Sequence, residues 1–208
     1  MVAFTGSGLR FLSFNMDNRI FFSEDNPQLQ ALEALENTYV KNYNVLFIIE
    51  PRGGDVFERQ ALAVVEELTE ASWQMPYSSR VDSITNYQHT RVDEDDLIVE
   101  SLVENASALS DEALQQIKDI ALTSPMLVDR LVSHSGHVTG VNINILLPGE
   151  SQLEVPEVAT FARDLADKIK QKYANIEIHL TGALMIDNGF GEIAADDVSS
   201  LIPLMFIV

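Results

Sequence analysis

His134 and His137 are the side chains whose type and spacing come nearest to metal chemistry. They flank Gly136 and could offer imidazole nitrogens to one ion. Spacing suggests no third ligand, and the same stretch reads as a hairpin turn, so no metal is assigned. Asp93-Glu94-Asp95-Asp96 gathers four carboxyls but lacks the Gly and the closing Glu of a calcium loop. It reads as a solvated loop. Pro51-Arg52-Gly53-Gly54 stands ahead of a helix pattern, where backbone N–H groups can hold an anion. It has neither a Walker Lys-Ser/Thr nor a GxGxxG spacing, and reads as a strand-to-helix turn. Gly6-Ser7-Gly8 and Ser133-His134 lack the context of a nucleophile elbow. No nucleophile, base and orienter assemble, so no catalytic residue and no cofactor is expected. Trp73, Met75 and Tyr77 cluster after a helix pattern. They are the candidates for lining an apolar ligand path, with a core or subdomain contact as the alternative.

Composition narrows the partners. The chain has 208 residues, 46% of them hydrophobic and 22% charged, enough apolar material for a sizeable core and too little charge for a disordered chain. Its net charge of -19 argues against nucleic acid, whose phosphates need Lys and Arg, and against docking on an anionic membrane through a basic patch. There is no cysteine, which excludes disulfides and thiolate metal sites and suits an oxidising or a reducing compartment equally. Met1 to Gly8 has no basic n-region and no long apolar h-region. No stretch reaches the roughly 18–20 apolar residues of a membrane span. The run Leu201 to Val208 is almost wholly apolar and reads either as a strand that docks in a core or as the opening turns of a membrane helix.

The elements that would position these residues follow from periodicity. Phe11, Phe14, Phe21 and Phe22 suggest a strand or an ordered arm. Asn26-Pro27 starts a helix marked by Leu29, Leu32 and Leu35. Val45 to Ile49 is a buried strand. Asp55 is expected to cap the next helix, with Glu58 as its capping-box partner, and Ala61, Leu62, Val65 and Leu68 form the apolar stripe. Arg80 to Thr85 and Leu97 to Val103 read as strands, and Ser110 caps a helix carrying Leu114, Ile117 and Ala121. Leu131 to Leu147 reads as a hairpin about residues 134–137. Pro156 to Tyr173 is an amphipathic helix, Ile176 to Leu180 a strand, and a last helix begins near Met185. Strand, helix, strand, insertion, strand, helix, strand is the order of two split βαβ units. The expected fold is a ferredoxin-like βαββαβ α+β sandwich with a helical and hairpin insertion.

Several phrases, in order, resemble one family. They are Ser83-Ile84-Thr85-Asn86, Leu97 to Val103, Ala121 to Val128, Leu131-Val132-Ser133 with Gly136 and Val138 to Val141, Thr181-Gly182, and Asp197 with Leu201-Ile202-Pro203-Leu204. Together they resemble the exporters of the resistance-nodulation-division (RND) superfamily, in the branch of MmpL-like and hopanoid-transporter-like proteins. The departure is Ser135-Gly136 where that family usually has Asp-Gly. Phe21-Phe22 with Asn26-Pro27 resembles the segment just after the first transmembrane helix.

The resemblance implies a porter-like domain between the first and second membrane helices of a proton-driven transporter in a bacterial inner membrane, on the periplasmic side. Residues 1–26 would follow the first span, 27–199 would form the domain, and 200–208 would begin the second span. The implied partners are a hydrophobic or lipid-like substrate and the remainder of the transporter, with a periplasmic partner protein as a further candidate. An enzyme is not expected. The competing expectation is an interaction or assembly module in a membrane complex, in the manner of SecD/SecF, which a large exposed apolar patch would favour.

Overall fold

The computed structural model describes residues 22–23, 25–38, 43–93 and 96–205. The expectations for Met1 to Gly8, for the arm bearing Phe11, Phe14 and Phe21, and for residues 206–208 lie outside the described residues. The chain divides into two compact units, one of residues 41–185 and one of 1–40 with 186–208. The expected 27–199 domain therefore has a narrower compact body inside it.

Within 41–185, β1 (Tyr43–Pro51) leads to α2 (Arg59–Ser72) and β2 (Ser78–Asp82). An insertion follows, holding β3 (Gln88–Asp93), β4 (Asp96–Ser101), a 3-10 turn at Ala106–Ala108 and α3 (Asp111–Thr123). Then come β5 (Thr139–Ile145), α4 (Glu154–Lys172) and β6 (Ile176–Thr181). The main sheet has the order β2-β5-β1-β6, with every neighbouring pair antiparallel. Each βαβ run thus leaves a gap that a strand of the other run fills, so the two halves cannot form a sheet apart. The molecule is α+β, as the order of periodicities indicates.

Strand alternation sets the core. Val45, Phe47 and Ile49 are wholly buried, as are Val141 and Ile143 beside them. They form one cluster with Ala61, Leu62, Val65 and Leu68 of α2 and Val158, Ala162, Leu165 and Ile169 of α4. Burial of a side chain as large as Phe47 contributes about 3 kcal/mol. Leu46 and Ile48 are only half-buried on the opposite side of the strand. The run Val45 to Ile49, continuous in apolar residues, is therefore fully buried on one face only.

The expected cap on α2 is not formed. The helix starts at Arg59 with Glu58 in the cap position and no side-chain cap bond. Asp55 instead accepts the Phe57 N–H at 3.0 Å and pairs with Lys118 of α3. A tight turn over 51–57, in which Glu58 N–H donates to the Asp55 carbonyl, leaves that carboxylate facing the insertion. Glu66 accepts the N–H groups of Asn105 and Ala106 at 2.7 and 3.0 Å, fixing the insertion to α2 a second time.

Two further differences concern strands. Gln88–Asp93 pairs with Asp96–Ser101 as a separate two-stranded sheet, where the sequence suggests only the second strand. The first arm of the hairpin about 134–137 is reduced to an isolated bridge between Val132 and Thr139.

In the other unit, α1 (Pro27–Thr38) starts at Asn26, whose side chain accepts the N–H groups of Gln28 and Leu29 at 2.9 and 3.4 Å. The last helix, α5 (Ala183–Met205), begins in the first unit and its residues from Ile186 on belong to the second. Leu201 to Met205 are helical, which excludes a strand there. No helix among the described residues is long and apolar enough to cross a membrane.

Candidate functional site

The half-buried face of the main sheet carries a depression. Leu46 and Ile48 project from β1 on that side, and Gly140 stands opposite Ile48 in register. A Cβ at Gly140 would lie 3.0 Å from Leu46 Cδ1, so the missing side chain leaves room over these two residues. Residues 127–133 fold back above them. Leu131 N–H donates to the Leu127 carbonyl at 2.8 Å, and Gly140 N–H to the Leu131 carbonyl at 2.8 Å. Thr139 Oγ1 donates to the same Leu131 carbonyl at 2.7 Å. Asp129, at φ 61, makes the tight return possible.

The result is a groove of about 300 Å³, floored by Leu46, Ile48 and Gly140 and walled by Leu131, Val132 and Val138, with Asp129, Arg130 and Ser133 at its rim. A second depression of about 350 Å³ adjoins it through Asp129 and carries Leu122, Ser124, Pro125 and His134. Sites of about this size hold small apolar ligands with a few polar groups to orient them. This pair can take an apolar chain along the sheet and a polar end beside Asp129 and His134.

The two histidines stand in different settings. His134 Nε2 meets Asp129 Oδ2 at 2.9 Å, and His137 is exposed. The Ser133 hydroxyl accepts Val138 N–H at 3.1 Å and lies 3.3 Å from the Ser135 hydroxyl. It is engaged in closing the turn, a structural duty. Gly136, at φ 70, faces the Phe57 ring, 3.2 Å from where a Cβ would stand.

The three apolar candidates differ in burial. Met75 is 3% exposed in the core, whereas Trp73 is 49% exposed. Tyr77, at φ 61, donates its hydroxyl to Glu157 at 3.1 Å. That hydrogen bond, together with burial, raises its pKa above the ordinary value. Neither depression on the sheet face is lined by any of the three. The core-contact alternative describes Met75 and also Tyr77, which packs partly buried against the same cluster.

Among the described residues one group of three metal-capable side chains comes together, and it does not include the pair marked by spacing. Glu50, Glu177 and His179 bring their ligand atoms within 4.8 Å of one another, because the register sets Glu50 opposite Glu177 and His179 two residues along the same face. Arg52 Nε already occupies Glu177 Oε1 at 2.9 Å. No sequence spacing could reveal a set whose members lie on β1 and β6.

One phrase of the resemblance, Ser83 to Asn86, is a bonded turn. Ser83 N–H donates to Asn86 Oδ1 at 2.8 Å, and Asn86 Nδ2 donates to the Val81 carbonyl at 2.7 Å. The hydroxyls of Thr85 and Thr69 lie 3.3 Å apart, which links this turn to α2. No family model matches the chain, and no curated protein matches it.

Proposed function

We propose that this chain is the extracytoplasmic, porter-type domain of a proton-driven exporter of the RND superfamily, placed on the periplasmic side of a bacterial inner membrane. The observation that carries the reading is the topology. The sheet order, in which β1 lies between β5 and β6 while β2 lies outside β5, supports a ferredoxin-like βαββαβ reading. Fold alone does not give function. The resemblance of phrases along the chain supplies the rest, and Ser83 to Asn86, Gly136 and Gly182 each fall at a turn that needs them.

The groove over Leu46 and Ile48 is then the surface that meets a hydrophobic or lipid-like substrate. Work by such a domain is conformational: it binds, is reshaped by the membrane part, and releases, with no bond made or broken. No catalytic role falls to His134 or Ser133 in this reading.

The test is native mass spectrometry of the purified protein after incubation with a total lipid extract of its source membrane. A defined lipid is retained by the wild type. Retention falls about tenfold in Ile48→Glu and Leu131→Glu, since a carboxylate facing an acyl chain has no partner for its charge. Equal retention by the variants would place the substrate elsewhere. The reading also requires membrane spans on both sides of this chain in the encoded protein, and a reading frame without them overturns it.

A further inference from the structure

β1 and β6 run antiparallel, and their register sets Glu50 directly opposite Glu177 and Ile48 directly opposite His179. Side chains two residues apart on a strand share a face. Glu50, Arg52, Glu177 and His179 therefore all stand on the side of the sheet away from Val45, Phe47 and Ile49. Like charges directly opposite on neighbouring strands repel. Glu50 and Glu177 are such a pair, in a chain of net charge -19.

The side-chain geometry is that of ligands and not of a closed ion pair. Arg52 Nε donates to Glu177 Oε1 at 2.9 Å, which leaves the second oxygen of that carboxylate. Glu177 Oε2 and Glu50 Oε2 lie 3.8 and 3.9 Å from His179 Nε2, too far for hydrogen bonds. The ligand atoms of a tetrahedral zinc stand roughly 3.3–3.6 Å apart when each bond is about 2.0–2.2 Å. The three side chains are 42–56% exposed, so they are free to turn through the small distance that remains.

Two carboxylates alone would be a solvated patch. The imidazole separates this group from one, because a nitrogen donor suits Zn²⁺ while Ca²⁺ and Mg²⁺ take oxygen. The scaffold also holds the donors in place. β1 lies between β5 and β6, and Arg52 N–H donates to the Asn175 carbonyl at 2.8 Å, tying the end of β1 to the start of β6. Arg52 thus grips Glu177 by one oxygen with its own backbone fixed, the outer-shell support that orients a ligating carboxylate. Two carboxylates balance the charge of a divalent ion, so binding removes the repulsion built into the register.

We infer that Glu50, Glu177 and His179 form a Zn²⁺ site with three protein ligands and a fourth position for water or an outside ligand. Arg52 is a positioning residue that touches Glu177 and not the metal. The inference rests on neither the groove nor the exporter reading.

The experiment is calorimetric titration of ZnCl₂ into the purified protein, stripped with EDTA and carrying no histidine tag. One Zn²⁺ is expected to bind per chain. His179→Ala and Glu50→Gln each weaken it about tenfold or more, while His134→Ala binds as the wild type does. Zn²⁺ raises the melting temperature of the wild type and of His134→Ala but not of His179→Ala. Co²⁺ in place of Zn²⁺ gives the visible absorption of a four-coordinate ion, lost in His179→Ala, and an excess of Ca²⁺ does not displace it. Failure to bind Zn²⁺, binding indifferent to His179→Ala, loss of binding in His134→Ala, or displacement by Ca²⁺, the mark of an acidic patch only, each overturns the inference. Lipid retention by the groove variants is read without metal, so the two readings fail separately.

Discussion

At the scale of single residues, Gly182 is the most constrained position. β6 ends at Thr181 and α5 starts at Ala183, so one residue makes the whole change of direction. It does so at φ 113, where a Cβ would stand 2.4 Å from the Asn44 carbonyl oxygen. Asn44 completes the joint, accepting Ala183 N–H on Oδ1 at 3.0 Å and donating Nδ2 to Asn142 Oδ1 at 2.7 Å. Gly182→Ala is expected to cost about 3 kcal/mol or more, combining backbone strain with overlap on a strand that cannot shift. Gly53→Ala is the control, because Gly53 also has positive φ, at 69, but nothing lies within 4 Å of its missing Cβ. It should cost about 1 kcal/mol. Urea denaturation of both variants checks this, and equal costs would show that the approach to Asn44 carries no energy. Thr181-Gly182 is visible in the sequence, but its reason is not, since Asn44 lies on a distant strand.

Among the elements, α4 shows how a helix start can be held by a buried charge. Glu154 is 4% exposed and accepts the N–H groups of Gly149, Glu150 and Ser151 at 2.9, 2.8 and 2.9 Å. Burial pushes its carboxyl pKa up, but the three N–H bonds outweigh burial and the value is lowered from 4.5. A lowered folded-state pKa means the unfolded chain takes the proton first. The stabilisation by Glu154 is therefore complete above pH 4.5 and is lost as the pH falls through the folded value. The melting-temperature gap between wild type and Glu154→Gln should be constant at neutral pH and shrink on acidification below that point. A gap unchanged through the acid limb would refute the assignment.

Much of the element order was legible because strand and helix periods are local. Leu29 and Leu35 mark α1, and Leu62, Val65 and Leu68 mark α2 without any tertiary information. β3 was not legible, because Gln88-His89-Thr90-Arg91 has no apolar alternation and gains its conformation from pairing with β4. The groove was hidden for a different reason: Leu46 and Ile48 sit inside an unbroken apolar run, and their wall, Leu131 and Val138, arrives from far along the chain. Trp73, Met75 and Tyr77 are neighbours in sequence, but burial divides them, since Met75 and Tyr77 pack in or against the core while Trp73 is exposed.

On the whole-molecule scale, charge sets two effects of opposite sign. The chain carries 32 acidic and 13 basic residues, and this imbalance repels itself in the folded state. Several ion pairs run on the surface, among them Arg52–Glu177, Arg59–Asp111 and Lys172–Glu67, with side chains 38–84% exposed. Pairs this exposed contribute little, under about 1 kcal/mol each, and salt weakens them. Salt also relieves the repulsion among the unpaired carboxylates, over a screening length that falls from about 30 Å at 0.01 M to about 8 Å at 0.15 M. The repulsion outweighs the pairs, so the melting temperature should rise by about 2–4 °C across that range. A fall would mean that the pairs dominate.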